Sequence, residues 1–426
     1  MHRIALISEH ASPLAAAGGI DSGGQNIYVA QVARGLSRLG YDVDVFTRRD
    51  SAVLPETVDW EDNVRVIHVP AGPARFVAKE NLLPHMDEFA RFMVDFCRRR
   101  GPYDLVHANF FMSGQVAMSL KHALGIPFIV TFHALGLVRR LHQKDADRFP
   151  DERVHIERSI AQAADRIIAE CPQDEHDLVR LYGADPGRIS IVPCGFDADE
   201  FHPVAREAAR AALGLRADEW IVLQLGRMVP RKGVDNVIRA VALLDRSHAV
   251  AARLLVVGGD SDRPDPVATP ELGRLQDVAR AEGVAEQVSF LGQRGREVLK
   301  LYYSAADVFV TTPWYEPFGI TPLEAMACGT PVVGADVGGI KFSVVHGQTG
   351  YLVPPNDPAA LAARLAELHA HPVEARRMGL RALRRAHEHF TWDSVARRIA
   401  TLCEAVARPT RAPGTAARPL RQAARQ

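Results

Sequence analysis

Trp314-Tyr315-Glu316-Pro317-Phe318-Gly319-Ile320-Thr321-Pro322-Leu323-Glu324-Ala325-Met326-Ala327-Cys328-Gly329-Thr330-Pro331-Val332-Val333 places a polar loop, a helix start and a buried apolar run in direct succession. Pro322 falls in the first turn of the helix, where a missing N–H costs little. Gly319, Ile320 and Thr321 then offer backbone N–H groups at the positive helix end, a site suited to phosphate. Glu316 precedes the helix on the ligand side and Glu324 lies within it, an E-x7-E spacing. Carboxylates suit sugar and ribose hydroxyls because each accepts more than one hydrogen bond. A buried helix-capping partner is the plainer alternative for Glu324, but the coincidence of loop, helix start and both acids favours function; Ala325, Met326 and Ala327 read as core.

Outward from this stretch, short β-branched runs alternate with helical patterns. In the first half the runs are 4–7, 43–47, 65–69, 104–107, 127–132, 166–169 and 189–192. In the second half they are 221–225, 253–257, 288–291, 307–311, 331–334 and 351–353. Near-continuous apolar runs joined by helices indicate parallel strands covered on both faces. The rhythm breaks at 201–214, where Pro203 and charged residues suggest a linker. The pattern predicts two doubly wound, Rossmann-like α/β domains, residues 1–203 and 204–390. A further amphipathic helix is expected over 391–407, followed by a disordered basic tail over 408–426.

Composition excludes several classes. The 426 residues are 47% hydrophobic and 24% charged, and 51 Lys+Arg balance 51 Asp+Glu, so no global charge points to nucleic acid. The apolar start at 4–7 is too short for a signal peptide, and no run reaches the length of a membrane span. Cys97, Cys171, Cys194, Cys328 and Cys403 are scattered without a C-x-x-C pair, which argues against disulfides or zinc and for a reducing cytoplasm. Met86, Phe89, Met93 and Phe96 recur at helical spacing before Arg98-Arg99-Arg100-Gly101. Basic amphipathic helices can dock on membranes. Here we read a core-packed helix whose cations complement its C-terminal dipole, so peripheral membrane contact is not expected.

Two other loops carry chemistry. Gly226-Arg227-Met228-Val229-Pro230-Arg231-Lys232-Gly233-Val234 follows the first strand of the second half, so Arg227 and Lys232 face a cleft at a strand's carboxyl end. Their charges suit a pyrophosphate and can hold charge on a departing phosphate without a divalent metal. Gly18-Gly19-Ile20-Asp21-Ser22-Gly23-Gly24-Gln25-Asn26 joins the first strand to a helix beginning near Gln25. Its glycines permit close backbone approach to an anion, but the spacing is not the G-x-G-x-x-G of dinucleotide binding.

Taken together, the E-x7-E segment, the glycine turn at 334–339 and the Gly226-Arg227…Lys232-Gly233 segment resemble the retaining glycosyltransferases of family 4, which have the GT-B fold. The likeness runs from Ile4 to about Ala407. Asp21-Ser22-Gly23-Gly24-Gln25, with Phe132-His133-Ala134-Leu135-Gly136, looks like sucrose-phosphate synthases and is similar to the mycothiol-pathway N-acetylglucosaminyltransferases. The resemblance implies that Arg227 and Lys232 bind the donor diphosphate, Glu316 the donor sugar and Glu324 the ribose. Gly23 and Gly24 would close over phosphates and sugar, His133 would line the sugar site, and Arg294 would touch the base through its backbone. It further implies retention by front-face attack, no cofactor or divalent metal, and a terminal helix crossing back onto the first domain.

On the acceptor side, the resemblance places Gln25 and Asn26 in the site, with Lys79 and Arg153 on an acceptor phosphate. The mycothiol-type tyrosine and threonine fall here at Phe110 and Ala134, which removes two hydroxyl donors and puts inositol phosphate in doubt. A hexose phosphate is then expected, with Arg139 or Arg140 as further cations. The expected partners are a nucleotide sugar (UDP-sugar, with GDP-sugar as alternative) and a small, phosphorylated acceptor; the oligomeric state is left open. Competing readings are a nucleotide-sugar 2-epimerase, a lipid or polysaccharide glycosyltransferase, and a catalytically silent nucleotide-binding protein. An epimerase would turn over without acceptor, and a silent protein would lose nothing on Glu316→Ala. A nicotinamide dehydrogenase lacks its glycine fingerprint.

Overall fold

A computed structural model describes residues 2–15, 23–144 and 147–407. Residues 18–22 of the glycine-rich loop and the 408–426 tail therefore lie outside the described residues. The apolar runs become strands β1 (Arg3–Ile7), β2 (Asp42–Arg48), β3 (Thr57–Glu61), β4 (Val64–Val69), β5 (Leu105–Asn109), β6 (Phe128–Thr131), β7 (Arg166–Ala169) and β8 (Ile189–Ile191). They form one sheet in the order β3-β4-β2-β1-β5-β6-β7-β8, parallel except for β3. A second sheet contains β9 (Trp220–Leu225), β10 (Ala252–Val257), β11 (Val288–Phe290), β12 (Val308–Thr311), β13 (Val332–Ala335) and β14 (Gly350–Val353). Its order, β11-β10-β9-β12-β13-β14, is parallel throughout and reverses direction between β9 and β12.

Helices α1 (Gly24–Arg38), α2 (Met86–Arg100), α3 (Phe111–Leu124), α4 (Gly136–Gln143), α5 (Glu152–Ala163) and α6 (Pro172–Tyr182) connect the first sheet. The second is connected by α7 (Arg206–Leu213), α8 (Val234–His248), α9 (Pro270–Ala281), α10 (Arg296–Ala305), α11 (Ile320–Ala327), α12 (Ile340–Ser343), α13 (Pro358–Ala370) and α14 (Pro372–His389). Finally α15 (Trp392–Val406), whose first turn is capped by Thr391 Oγ1 accepting from Ser394 N, returns to pack on α1.

Two expectations change. The 201–214 stretch is not an open linker: Phe201 is fully buried, and α7 within it packs against α10. The edge strand β3 runs antiparallel beside β4, with every second residue exposed, and so lacks the apolar run that marks the others. The basic amphipathic helix α2 is core-packed as expected, with Met86, Phe89, Met93 and Phe96 buried and Gly101 ending it at φ 91°. Among the described residues all five cysteines are free and buried, and no helix is long and apolar enough to cross a membrane.

The seam between α1 and α15 is close: a Cβ on Gly35 would come within 2.4 Å of the Ala396 Cβ. Ion pair Arg38–Asp393 (2.8 Å) and the Tyr41–Glu404 hydrogen bond (3.2 Å) flank it. Gly35→Val is expected to cost roughly 2–3 kcal/mol by overpacking and to lower the thermal midpoint by several degrees. An unchanged midpoint would show that α15 is not held against α1.

Candidate functional site

In open parallel sheets, ligands bind beyond the strands' carboxyl ends where strand order reverses. In the second sheet that point lies between β9 and β12, and the loops leaving these two strands carry the motifs. Gly233, at φ 65°, sits against Thr312, whose carbonyl oxygen would be 2.1 Å from any added Cβ. Trp314 N donates to Arg231 O (2.9 Å), so the two loops are bound to each other. Lys232 consequently donates to Glu316 Oε2, with Arg231 Nη1 3.5 Å away. Burial pushes the Glu316 carboxyl up, but the charges of Lys232, Arg231 and Arg227 outweigh this and hold it down to about 2. Glu316 is therefore an anion at any physiological pH, with Arg227 exposed beside it.

Gly319 precedes α11 at φ 91°, and Ile320 and Thr321 occupy the helix's first two positions, as the sequence predicts. Gly338 and Gly339 pack under this loop; a Cβ on Gly338 would meet Glu316 O at 1.8 Å. Across the cleft, a Cβ on Gly24 would lie 3.6 Å from Ile320 Cδ1, whereas one on Gly23 would meet nothing within 4 Å. The N-termini of α1 and α11 thus approach each other from opposite sheets, and both present positive dipole ends to the space between.

Glu324 is buried, accepting from Tyr303 OH (2.8 Å) and Arg296 Nη1 (3.3 Å). Burial keeps its carboxyl raised despite these partners. Arg296 also pairs with Glu200 (2.6 Å) in the segment that crosses between the sheets. The Arg294 side chain folds onto Asp262 O (2.8 Å), Gln293 O (2.7 Å) and Tyr302 OH (3.2 Å).

On the opposing sheet, His133 follows β6 at φ 58°. Nδ1 contacts Glu170 Oε1 (2.9 Å) and Nε2 contacts Asn109 Oδ1 (3.1 Å), while Asn109 Nδ2 donates to Ile7 O and His107 O. Gln25 Nε2 donates to Ser8 Oγ (3.2 Å) and Asn109 O (3.3 Å). The buried Asn26 side chain accepts from Gly23 N and donates to Ser12 O, both at 2.9 Å, so it shapes the glycine loop. Arg153 is 1% exposed, caged by Phe110, Phe111 and Phe149, paired with Glu157 (2.7 Å) and donating to Ala134 O. Its Nη1 is buried without a hydrogen-bond partner among the described residues. Arg139 pairs with Asp147 (3.1 Å) and Arg140 with Asp151 (2.8 Å). Lys79 begins a 3-10 turn, Lys79–Asn81, ahead of α2 and is itself half-buried.

Several groups were not singled out from sequence. Glu170, Asn109 and Glu157 orient the chosen residues, and Tyr315 stacks on His142 (4.8 Å) while accepting from Gln143, joining α4 to the Glu316 loop. A cavity of about 350 Å³ between the sheets is lined by Val138, Asp174, Trp314, Tyr315, Glu316 and Lys341 among others.

Residues 22–200 match the glycosyltransferase family 4 model and residues 205–385 the glycosyl transferases group 1 model. The chain belongs to the family 4 glycosyltransferases of GT-B fold. It is 39% identical to the D-inositol 3-phosphate glycosyltransferase 2 of Catenulispora acidiphila, covering 92% of each chain. It is also 39% identical to the D-inositol 3-phosphate glycosyltransferase of Streptomyces scabiei, covering 92% of this chain and 89% of that one. Among solved structures, sucrose-phosphate synthase from Thermosynechococcus elongatus superposes with TM-score 0.87 at 35% identity, covering 95% of this chain and 99% of that one.

Two measurements follow. Removing one member of the part-buried Lys232–Glu316 pair strands the other charge, so Lys232→Met and Glu316→Gln should couple by about 1–3 kcal/mol in a double-mutant cycle read by unfolding. Additive effects would contradict the pairing. Burial first, then the Glu170 charge, raises the Asp174 carboxyl from 3.8 to about 8. The folded state thus binds a proton that the unfolded chain has released, and stability falls as pH rises between those values. Asp174→Asn keeps an oxygen for the Glu170 N–H (3.0 Å). Its stability relative to the parent should grow between about pH 5 and about pH 8.5; a pH-independent difference would refute the assignment.

Proposed function

We propose that this enzyme is a retaining transferase that moves a hexosyl unit from a UDP-sugar to a small phosphorylated acceptor, with a hexose phosphate as the acceptor class. The observation that carries the reading is the approach of the α1 and α11 N-termini across the cleft, with Arg227 and Lys232 beside them. Converging helix ends and cations suit a diphosphate and stabilise the charge that develops on it as it leaves. In this reading Glu316 orients donor-sugar hydroxyls, Glu324 serves the ribose, and His133 lines the sugar site. The C1–O bond to the diphosphate breaks as an acceptor oxygen bonds to C1 on the same face. The acceptor's proton passes to the departing phosphate oxygen, so the scheme uses no divalent metal.

The phosphorylated acceptor draws support from the unpartnered Arg153 Nη1, a buried cationic donor of the kind an anion satisfies. The relatives named for inositol 3-phosphate and sucrose-phosphate chemistry point the same way. Phe110 and Ala134 carry no side-chain hydroxyl, which favours a hexose phosphate over inositol phosphate.

Thermal unfolding with UDP, GDP and ADP in parallel tests the donor side. A ligand at about a hundredfold excess over its dissociation constant stabilises the fold by ~2.7 kcal/mol. UDP should raise the midpoint, and the Arg227→Ala, Lys232→Ala double variant should abolish the rise. A shift with GDP or ADP alone would reassign the base, and no shift with any of them would remove the donor site. Turnover of UDP-N-acetylglucosamine without acceptor would instead identify an epimerase.

A further inference from the structure

In the first sheet, strand order turns back at the β1/β5 junction, and Glu9 and His10, just beyond β1, take no part in the proposed transfer. Glu9 and His10 follow β1, and Phe110 follows β5 in an unusual conformation for an aromatic residue, φ 85°. Glu9 is 1% exposed, yet both its oxygens are engaged: Oε1 meets His10 Nδ1 at 2.7 Å, and Oε2 accepts from Ser113 Oγ. The His10 ring lies edge-on to Phe110, centroids 5.1 Å apart, and its side chain is 10% exposed. Nε2 has no hydrogen bond to any described residue. Phe110 in turn lies under the Arg153 guanidinium at 4.9 Å, so His10 and Arg153 contact the same ring.

A carboxylate bound to one imidazole nitrogen fixes both the ring's orientation and its tautomer. With Nδ1–H directed at Glu9, Nε2 is left to pair with an incoming group. Phe110 offers no hydroxyl, which makes His10 Nε2 a polar atom available on that side of the crevice. We infer that His10 contacts a ring hydroxyl of the acceptor through Nε2, and that Glu9 is the positioning residue that aims it. The inference rests on the proposed transfer to a phosphorylated sugar and adds a specificity contact to it: Arg153 meets the phosphate and His10 the ring.

The test begins with the UDP-loaded enzyme, titrated calorimetrically with fructose 6-phosphate and with inositol 3-phosphate; the tighter ligand then serves in initial-rate kinetics with UDP-glucose. His10→Ala should raise the acceptor KM about tenfold, the size of one lost hydrogen bond, while the donor KM stays within about twofold. Glu9→Gln, whose amide oxygen can still accept from Nδ1, should keep an acceptor KM near that of the parent. Glu9→Leu should behave like His10→Ala. A purely structural Glu9 would instead shift both KM values and the unfolding midpoint together, and that result overturns the inference. So does an unchanged acceptor KM in His10→Ala. If UDP binds but neither acceptor does, this contact and the acceptor class fall while the donor reading stands. If UDP itself fails to bind, the proposed function fails first.

Discussion

The cleft exists because the chain crosses between its two sheets twice and the crossings are bound to each other. Phe196 N donates to Phe390 O (2.8 Å) and Trp392 N to Phe196 O (3.2 Å). Gly195 lies directly beneath Trp392, where a Cβ would sit 2.8 Å from the Trp392 backbone nitrogen. Phe196, Phe201, Phe390 and Trp392 belong to one apolar cluster that also contains Leu6 of β1 and Leu223 of β9. One continuous core therefore runs through both sheets. Burial of that core holds the carboxyl ends of β1 and β9 toward a shared space, which neither domain could define alone.

Most of the largely buried carboxylates around this space are matched. Glu316 has Lys232, Glu324 has Arg296 and Tyr303, Glu170 has His133, Glu157 has Arg153, and Glu9 has His10 and Ser113. Buried pairs recover little net stability, because desolvation offsets most of the attraction. What they provide is order: each guanidinium, ammonium or imidazole is held in one orientation by the carboxylate it meets. Arg153 is held most completely: caged by three phenyl rings, it meets Glu157 and Ala134 O and leaves only Nη1 of its nitrogens without a hydrogen bond among the described residues.

The parts legible in sequence were the contiguous ones. Parallel strands buried on both faces yield unbroken apolar runs, so the rhythm of both sheets could be read, whereas β3, with exposed polar residues at alternate positions, could not. Helix α7 was hidden because Arg206-Glu207-Ala208-Ala209-Arg210-Ala211-Ala212-Leu213 has a narrow apolar face, and Pro203 before it suggested an opening. The E-x7-E segment was legible because loop, helix start and both acids fall within one stretch. Asn109, His133 and Glu170 come together only through the order β5-β6-β7, which no local pattern encodes.

The two sides of the cleft are also joined through α4. Arg139 pairs with Asp147 and donates to Gln143 Oε1 (3.2 Å) one turn later; Gln143 donates to Tyr315 OH. The Tyr315 ring stacks on His142 and lies under the Arg231 guanidinium (5.3 Å), which itself reaches Glu316. The Arg139 side of the cleft is thus in unbroken contact with the Glu316 loop through a single short helix. Within α4 only Gly136 is fully buried, while Leu137 and Val138 pack against the core of the first domain, so these polar contacts add to its packing. A rotation of one sheet against the other would therefore have to break the Gln143–Tyr315 bond or carry α4 along with the Glu316 loop.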